Sequence, residues 1–167
     1  GPEQQMVPRQ LELCQPVAML RRPFSLAGRG HDGAGNWIDV IHRVVGVGTR
    51  WLGDLQEGDA IDLIGPLGNC FELPTGKSIG LLVGGGVGLP PMFYLAKAMA
   101  TAGWGGVGLV GARSADLLAV TIPDPAAVPT DGSPSTAIEE FARHDLASIV
   151  STDDGTLGLH GLITDAL

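Results

Sequence analysis

The chain has 167 residues, of which 26 are Gly and 12 are Pro; 44% are hydrophobic and only 17% charged, which excludes a disordered segment. Net charge is −8, with nine acids against the single base Arg143 in residues 114–167 and nine of each sign in residues 1–113. That balance lacks the basic footprint required by nucleic acid or an anionic membrane surface, and aromatics at 5% leave the core to Val, Leu, Ile and Ala.

Gly1-Pro2, without an initiator Met, has the form of a tag-cleavage remnant and is left out of the fold reasoning. No signal peptide is recognised. Cys14 and Cys70 stand 56 positions apart with no C-x-x-C pair. A structural zinc site or a four-cysteine iron–sulfur cluster within this chain is thereby excluded, and the cysteine usage fits a reducing, cytoplasmic setting.

Residues 16–75 read as short strands separated by glycine turns, which suggests a small barrel or sandwich. Trp37–Val45 is rich in β-branched residues and predicts a strand, as does Ala60–Ile64; Thr49–Leu55 predicts one helical turn between them. The pattern changes near residue 75. Ile79–Val83 predicts a strand buried on both faces of a parallel sheet. Ser78–Ala96 is uncharged for 19 residues, but its five glycines and Pro90-Pro91 argue for strand, turn and helix start over a membrane span. Pro90–Ala102 predicts a helix, with Pro tolerated in its first turn. Val107–Val110 predicts a strand, residues 115–135 with their four prolines an irregular connection, Thr136–His144 a helix and Ala147–Val150 a strand. This alternation predicts a parallel α/β domain over 76–167, following a β domain over 1–75.

Gly84-Gly85-Gly86-Val87-Gly88-Leu89-Pro90-Pro91 links a predicted strand to a predicted helix. Glycines there let the backbone approach a pyrophosphate at a helix N-terminus, or simply allow close strand–helix packing. No Gly-Lys-Ser/Thr follows, so a Walker loop is excluded, and Pro91 stands where the third glycine of G-x-G-x-x-G belongs. Arg21-Arg22-Pro23-Phe24-Ser25 offers a phosphate ligand, a stacking ring and a hydroxyl, or an exposed strand with a solvated Arg pair. Val45-Gly46-Val47-Gly48-Thr49 offers a second phosphate turn, or a strand end with Thr49 capping a helix. Asp153-Asp154-Gly155 is a turn at the carboxyl end of a predicted parallel strand, where ligands of open α/β sheets bind. His31, His42, His144 and His160 have no metal-ligand spacing, and no G-x-S-x-G marks a serine hydrolase. Asp59, Asp62, Glu139 and Glu140 read as solvated charges.

Six segments in this order resemble one family: RRPFSL at 21–26, RVVGVGT at 43–49, GDAIDLIGPLGNCF at 58–71, LLVGGGVGLPP at 81–91, GARSADLL at 111–118 and STDDGTLGLHGLITDAL at 151–167. The chain is similar to the electron-transfer subunits of two-subunit dihydroorotate dehydrogenases, within the ferredoxin–NADP reductase superfamily. The resemblance implies an incomplete Greek-key β-barrel that holds FAD, over 1–75, followed by a Rossmann-like parallel-sheet domain that holds NAD, over 76–167. It implies an oxidoreductase of pyrimidine biosynthesis in the cytoplasm, passing electrons between a catalytic dihydroorotate dehydrogenase subunit and NAD in a hetero-oligomer. Other reductases of the superfamily, including hydrogenase-associated ones, and a non-catalytic partner-binding remnant remain the alternatives. By resemblance, Arg22, Pro23, Phe24 and Ser25 form the first flavin segment, Ile41, His42 and Arg43 a second, and Gly48 and Thr49 the flavin pyrophosphate turn. Gly86, Gly88 and Pro91 match the G-x-G-x-x-P dinucleotide loop. Arg113 and Asp116 fall near the adenosine ribose, and Asp154 joins them from the strand-end argument. Asp116 favours NAD and Arg113 favours NADP. The family's [2Fe–2S] segment, its last nucleotide-domain strand and its opening barrel strands have no counterpart here, and Cys70 stands where relatives often carry Gly, so the resemblance implies a chain shortened at both ends.

Overall fold

The computed structural model describes residues 21–167; Cys14 and the expected start of the barrel region lie outside the described residues. By their contacts the described residues divide into two units, residues 21–24 with His42–Gly68, and Ser25–Ile41 with Asn69–Leu167.

In the first unit, helix α1 spans Val47–Gly53, two residues ahead of the predicted turn. Its start is set by Thr49, whose Oγ1 accepts from the N–H groups of Val45 (2.9 Å) and Gly46 (3.1 Å) and donates to Gly46 O (3.1 Å). The side chain thus supplies the partners that a helix's first turn lacks. Arg21 Nη1 donates to the carbonyl of Asp62 at 3.2 Å. The strand predicted over 60–64 forms no ladder among the described residues. Strand propensity reports fitness for a pleated surface, and a strand exists only where a partner accepts its hydrogen bonds.

In the second unit, β1 (Gly28–Asp32) and β2 (Gly35–Asp39) form an antiparallel hairpin, paired from Gly28↔Asp39 to Asp32↔Gly35. Asp32 Oδ1 accepts from Ala34 N at 2.9 Å, and Gly35 takes the positive φ of +130° that closes the turn. The strand predicted over 37–45 therefore ends at Asp39, where its partner runs out. Trp37 lies across Gly30, in space that a Cβ there would need. Lys97 sits 5.9 Å from the Trp37 ring centre and donates to Arg29 O at 3.3 Å.

The rest of this unit is a parallel sheet with strand order β3-β4-β5-β6: β3 Ile79–Gly85, β4 Gly105–Ala112, β5 Ala147–Thr152 and β6 Leu159–His160. Helix α2 (Leu89–Thr101) links β3 to β4, with Pro90 and Pro91 in its first turn as the sequence predicts. Its buried residues Leu89, Met92, Phe93, Ala96 and Met99 recur at helical spacing and face the sheet. Glycines on that sheet face make room for the side chains packed on it: a Cβ at Gly80 would stand 2.6 Å from Met99 Cε of α2, and one at Gly108 would stand 2.8 Å from the ring of Phe141, beyond α2. Helix α3 is only Glu139–Ala142, shorter than the predicted 136–144. Ser135 is drawn into a bridge with Ser148 before it, and Asp145 turns left-handed (φ 56°) after it. Residues 115–135 carry only two 3-10 turns, Ala115–Leu117 and Pro125–Ala127.

The core lies between the sheet and these helices, with Phe93 and Phe141 edge to face at 5.6 Å and 71°. Phe93→Leu keeps the apolar volume and loses the ring pair, so a cost of about 1 kcal/mol and a fall of about 2–4 °C in Tm are expected in a thermal melt. On the opposite sheet face a 3-10 turn, Ile163–Ala166, places Ile163 against Gly111. That turn packs on β4 and β5. Contrary to the sequence expectation, β3 is buried on one face only: Ile79, Leu81 and Val83 are 79%, 54% and 44% exposed. It is one of the two edge strands of the described sheet, and its second face is about half covered at Leu81 and Val83.

Candidate functional site

Parallel pairing sets Gly85 opposite Gly111 and Ala112 opposite Thr152, so the loops after β3, β4 and β5 leave one edge of the sheet. In open α/β sheets this carboxyl edge is where ligands sit.

The loop after β3 contains Gly84, Gly85, Gly86 and Gly88, and each glycine has its own reason. A Cβ at Gly84 would stand 3.1 Å from Gly88 O, Leu89 Cδ2 and Met92 Cγ, and one at Gly85 would stand 3.2 Å from Gly111 O. Those two permit close packing. Gly86 has φ +51°, a conformation that side chains resist. Gly88 has an ordinary helical conformation (φ −82°, ψ −12°), and a Cβ there would meet nothing within 4 Å. Neither strain nor packing calls for glycine at 88; what its absence of side chain leaves is open space over the backbone. Pro90 and Pro91 have no N–H, so the amide donors at this helix end belong to the 3-10 turn Gly86–Gly88.

The loops after β4 and β5 line an open cavity of about 530 Å³, formed by Arg113, Ser114, Leu117, Asp153 and Asp154. The structure thus brings two predicted site residues, Arg113 and Asp154, to one cavity. Asp116 accepts from Ser114 Oγ at 2.5 Å. The Thr156 hydroxyl and N–H both donate to Asp154 Oδ1, at 2.6 and 3.0 Å, and hold the Asp154 carboxyl below its ordinary range, the side-chain bond contributing most. Asp154 is exposed, so its charge is solvated and the effect is one of orientation.

In the first unit, Gly48 lies beside Arg22: a Cβ at 48 would stand 3.1 Å from Arg22 Nε. Phe24 and His42 meet edge to face at 6.1 Å, and His42 Nε2 donates to Thr49 O at 3.1 Å. Arg22, Phe24, His42, Gly48 and Thr49 therefore gather around the start of α1. Thr49 spends its hydroxyl on the turn itself, but from the third helical position; the N-cap is Gly46, not Thr49 as the sequence alternative had it. Pro23 and Arg43 are exposed in this unit; Ser25 and Ile41, also exposed, belong to the other.

Sequence reasoning did not single out Ser114, Leu117 or Thr156. Thr156 had a signal in the Asp154-x-Thr156 spacing of a side-chain turn, and the other two lie inside the GARSADLL segment. Among the described residues no three His, Cys, Asp or Glu side chains gather to hold a metal, and Cys70 is exposed and unpaired. Two cysteines do not supply the four thiolates of a [2Fe–2S] cluster, so this chain's residues do not fit that group. No described helix is long and apolar enough to cross a membrane.

A comparison with protein-family models finds no match. Known proteins do match. The dihydroorotate dehydrogenase B (NAD(+)) electron transfer subunit of Listeria monocytogenes is 33% identical over 165 residues, covering 96% of this chain and 57% of that protein. That of Bacillus caldolyticus is 38% identical over 152 residues, and that of Fusobacterium nucleatum 32% over 151, each covering 89% of this chain and 51% of the relative. Among solved structures, a chain from the work on the NADH-dependent reduced ferredoxin-NADP oxidoreductase and flavin-based electron bifurcation is similar with a TM-score of 0.66 and 31% identity, over 87% of this chain and 46% of that one. The chain spans about half the length of the curated relatives it matches. With its small antiparallel sheet and its four-stranded parallel sheet, the chain is similar to the electron-transfer subunits of dihydroorotate dehydrogenase B and has a ferredoxin–NADP reductase-like fold.

Proposed function

We propose that the chain is a flavin-dependent electron-transfer module, carrying electrons between a dihydroorotate-oxidising partner subunit and NAD. The observation that carries this reading is the loop after β3. Gly88 is required by neither backbone strain nor packing, and Gly86 and Val87 beside it are exposed at the sheet's carboxyl edge. Such a cradle fits the pyrophosphate of a dinucleotide. In the proposed division, residues 1–75 hold FAD as the incomplete barrel and residues 76–167 hold NAD.

When bound, the flavin and nicotinamide supply the hydride and single-electron chemistry, and no side chain of the protein has to act as acid or base. The protein's part is positional. Arg22, next to Gly48, would meet a flavin phosphate, and Phe24, with its ring 40% exposed, would offer an apolar face. Pro23, Ser25, Ile41, His42 and Arg43 would complete the flavin contacts. Gly86, Gly88 and Pro91 would seat the dinucleotide diphosphate, and Arg113, Asp116 and Asp154 its adenosine end. The similar subunits belong to dihydroorotate dehydrogenase B (NAD(+)), and the carboxylates Asp153 and Asp154 in the cavity oppose a second phosphate there. The setting proposed is the cytoplasm, in a hetero-oligomer with the catalytic subunit.

A visible absorption spectrum of the purified chain tests this reading. Flavin bands that NADH bleaches are expected; a colourless protein, or bands indifferent to NADH, would overturn it. Similarity to a chain of the NADH-dependent reduced ferredoxin-NADP oxidoreductase favours one second reading, a ferredoxin as electron partner. Bleaching by dihydroorotate only in the presence of the catalytic subunit supports the first, and exchange with reduced ferredoxin alone supports the second.

A further inference from the structure

The loop after β4 and the loop after β5 must hold a set spacing if Arg113, Ser114 and Leu117 on one are to face Asp153 and Asp154 on the other. Backbone bonds begin this: Asp153 N donates to Ala112 O at 3.0 Å, and Asp154 N to Arg113 O at 3.2 Å. Past that point the loop after β5 is exposed at Asp153–Thr156, and the loop after β4 is exposed at Arg113 and Asp116. One side chain then joins them. Thr156 Oγ1 accepts from Ala115 N at 2.9 Å, across 41 positions of sequence, and donates to Asp154 Oδ1 at 2.6 Å. Among the described residues no other side-chain hydrogen bond links the two loops. The same bond draws on the N–H of the first residue of the 3-10 turn Ala115–Leu117, and so orients the turn that carries Leu117.

We propose that Thr156 is a positioning residue of the dinucleotide site: its hydroxyl clamps the two strand-end loops so that Arg113 and Asp154 stand ready for the adenosine end. The proposal rests on the dinucleotide reading above. Without the clamp each exposed loop samples other arrangements, and binding has to order them first. Asp154 Oδ1 is committed to Thr156, so the clamp also decides which carboxylate oxygen is left for a ribose hydroxyl.

The test is isothermal titration of NADH into the whole chain and its variants, with a thermal melt of each. Thr156→Val is nearly isosteric and lacks the hydroxyl; about a tenfold loss of NADH affinity is expected. Thr156→Ser restores the hydroxyl and is expected to bind within about twofold of the parent. Ala115→Pro removes the opposite end of the clamp. Proline suits the first position of a helical turn, and Ser114 before it is already extended (φ −154°, ψ 160°). Its loss should match that of Thr156→Val, and the double variant should lose little more than either. The Asp154 carboxyl, followed by NMR, should titrate higher in Thr156→Val and stay low in Thr156→Ser. Parent-like affinity in Thr156→Val, or Ser as weak as Val, would overturn the clamp while leaving the dinucleotide reading intact. No NADH binding by the parent would overturn both. Should Thr156→Val fail to fold, Thr156→Ser and Ala115→Pro still decide: parent-like affinity in Ala115→Pro counts against the clamp.

Discussion

Gly88→Val is expected to remove most NADH affinity while leaving the fold and any FAD affinity nearly unchanged. A Cβ at Gly88 meets nothing within 4 Å, and the residue already has helical φ and ψ. The folded state therefore has room for valine, and the residual penalty of a β-branched residue near a helix start is under about 1 kcal/mol. What the branched side chain occupies is the approach to the N–H groups of Gly86–Gly88. Each charge-assisted hydrogen bond lost to a pyrophosphate oxygen costs about 1.5–3 kcal/mol, or roughly 10- to 150-fold in affinity. Gly84→Val supplies the contrast. Its side chain would press on Gly88 O, Leu89 and Met92, each 3.1 Å from the Cβ alone, so it should lower Tm sharply. Parallel NADH titration and thermal melting separate the two roles. A lost NADH signal at near-parental Tm supports the cradle. Intact binding in Gly88→Val would show that its open space is not the dinucleotide's.

Arg22→Ala is expected to weaken FAD binding by roughly 10- to 150-fold, the range for one charge-assisted hydrogen bond to a phosphate. Arg22 lies against Gly48 in the first turn of α1, and Gly48 is the residue that lets the guanidinium come that close. Arg22→Lys keeps the charge but not the planar fork, and should recover only part of the affinity. Added salt should narrow the gap between parent and Arg22→Ala, because screening weakens the contact that only the parent makes. The measurement is FAD titration followed by flavin fluorescence. Equal affinities in parent and Arg22→Ala would remove Arg22 from the flavin site, and a parent that takes up no FAD would remove the flavin reading itself.

Much of the α/β unit is legible in the amino-acid sequence. Strands β3, β4 and β5 and helix α2 fall within about two residues of where apolar runs, glycines and the proline pair put them. Local chemistry suffices there, because each element carries its own start and stop signal. The alternation of strand and helix also set the sheet parallel, which brings the loops after β3, β4 and β5 to one edge. Elements that depend on a distant partner were misjudged. Trp37–Val45 has strand chemistry throughout, but pairing ends at Asp39, opposite Gly28, where β1 begins. Residues 60–64 have it too and find no ladder among the described residues. Helix α3 lost its ends to Ser148, a pairing partner no local pattern announces, and to the left-handed Asp145.

The candidate site divides along the same line. The amino-acid sequence by itself determined that a glycine-rich strand–helix turn, an Arg-Pro-Phe-Ser segment and an Asp-Asp-Gly turn exist, because residue type and spacing are local properties. Only the tertiary structure decided what each residue is for. It separated Gly84 and Gly85, which packing requires, from Gly86, which the backbone requires, and from Gly88, which neither requires. It showed that Thr49 closes its own turn. It also joined Ala115 to Thr156 across 41 residues, because parallel pairing of β4 with β5 carries both loops to the same edge of the sheet.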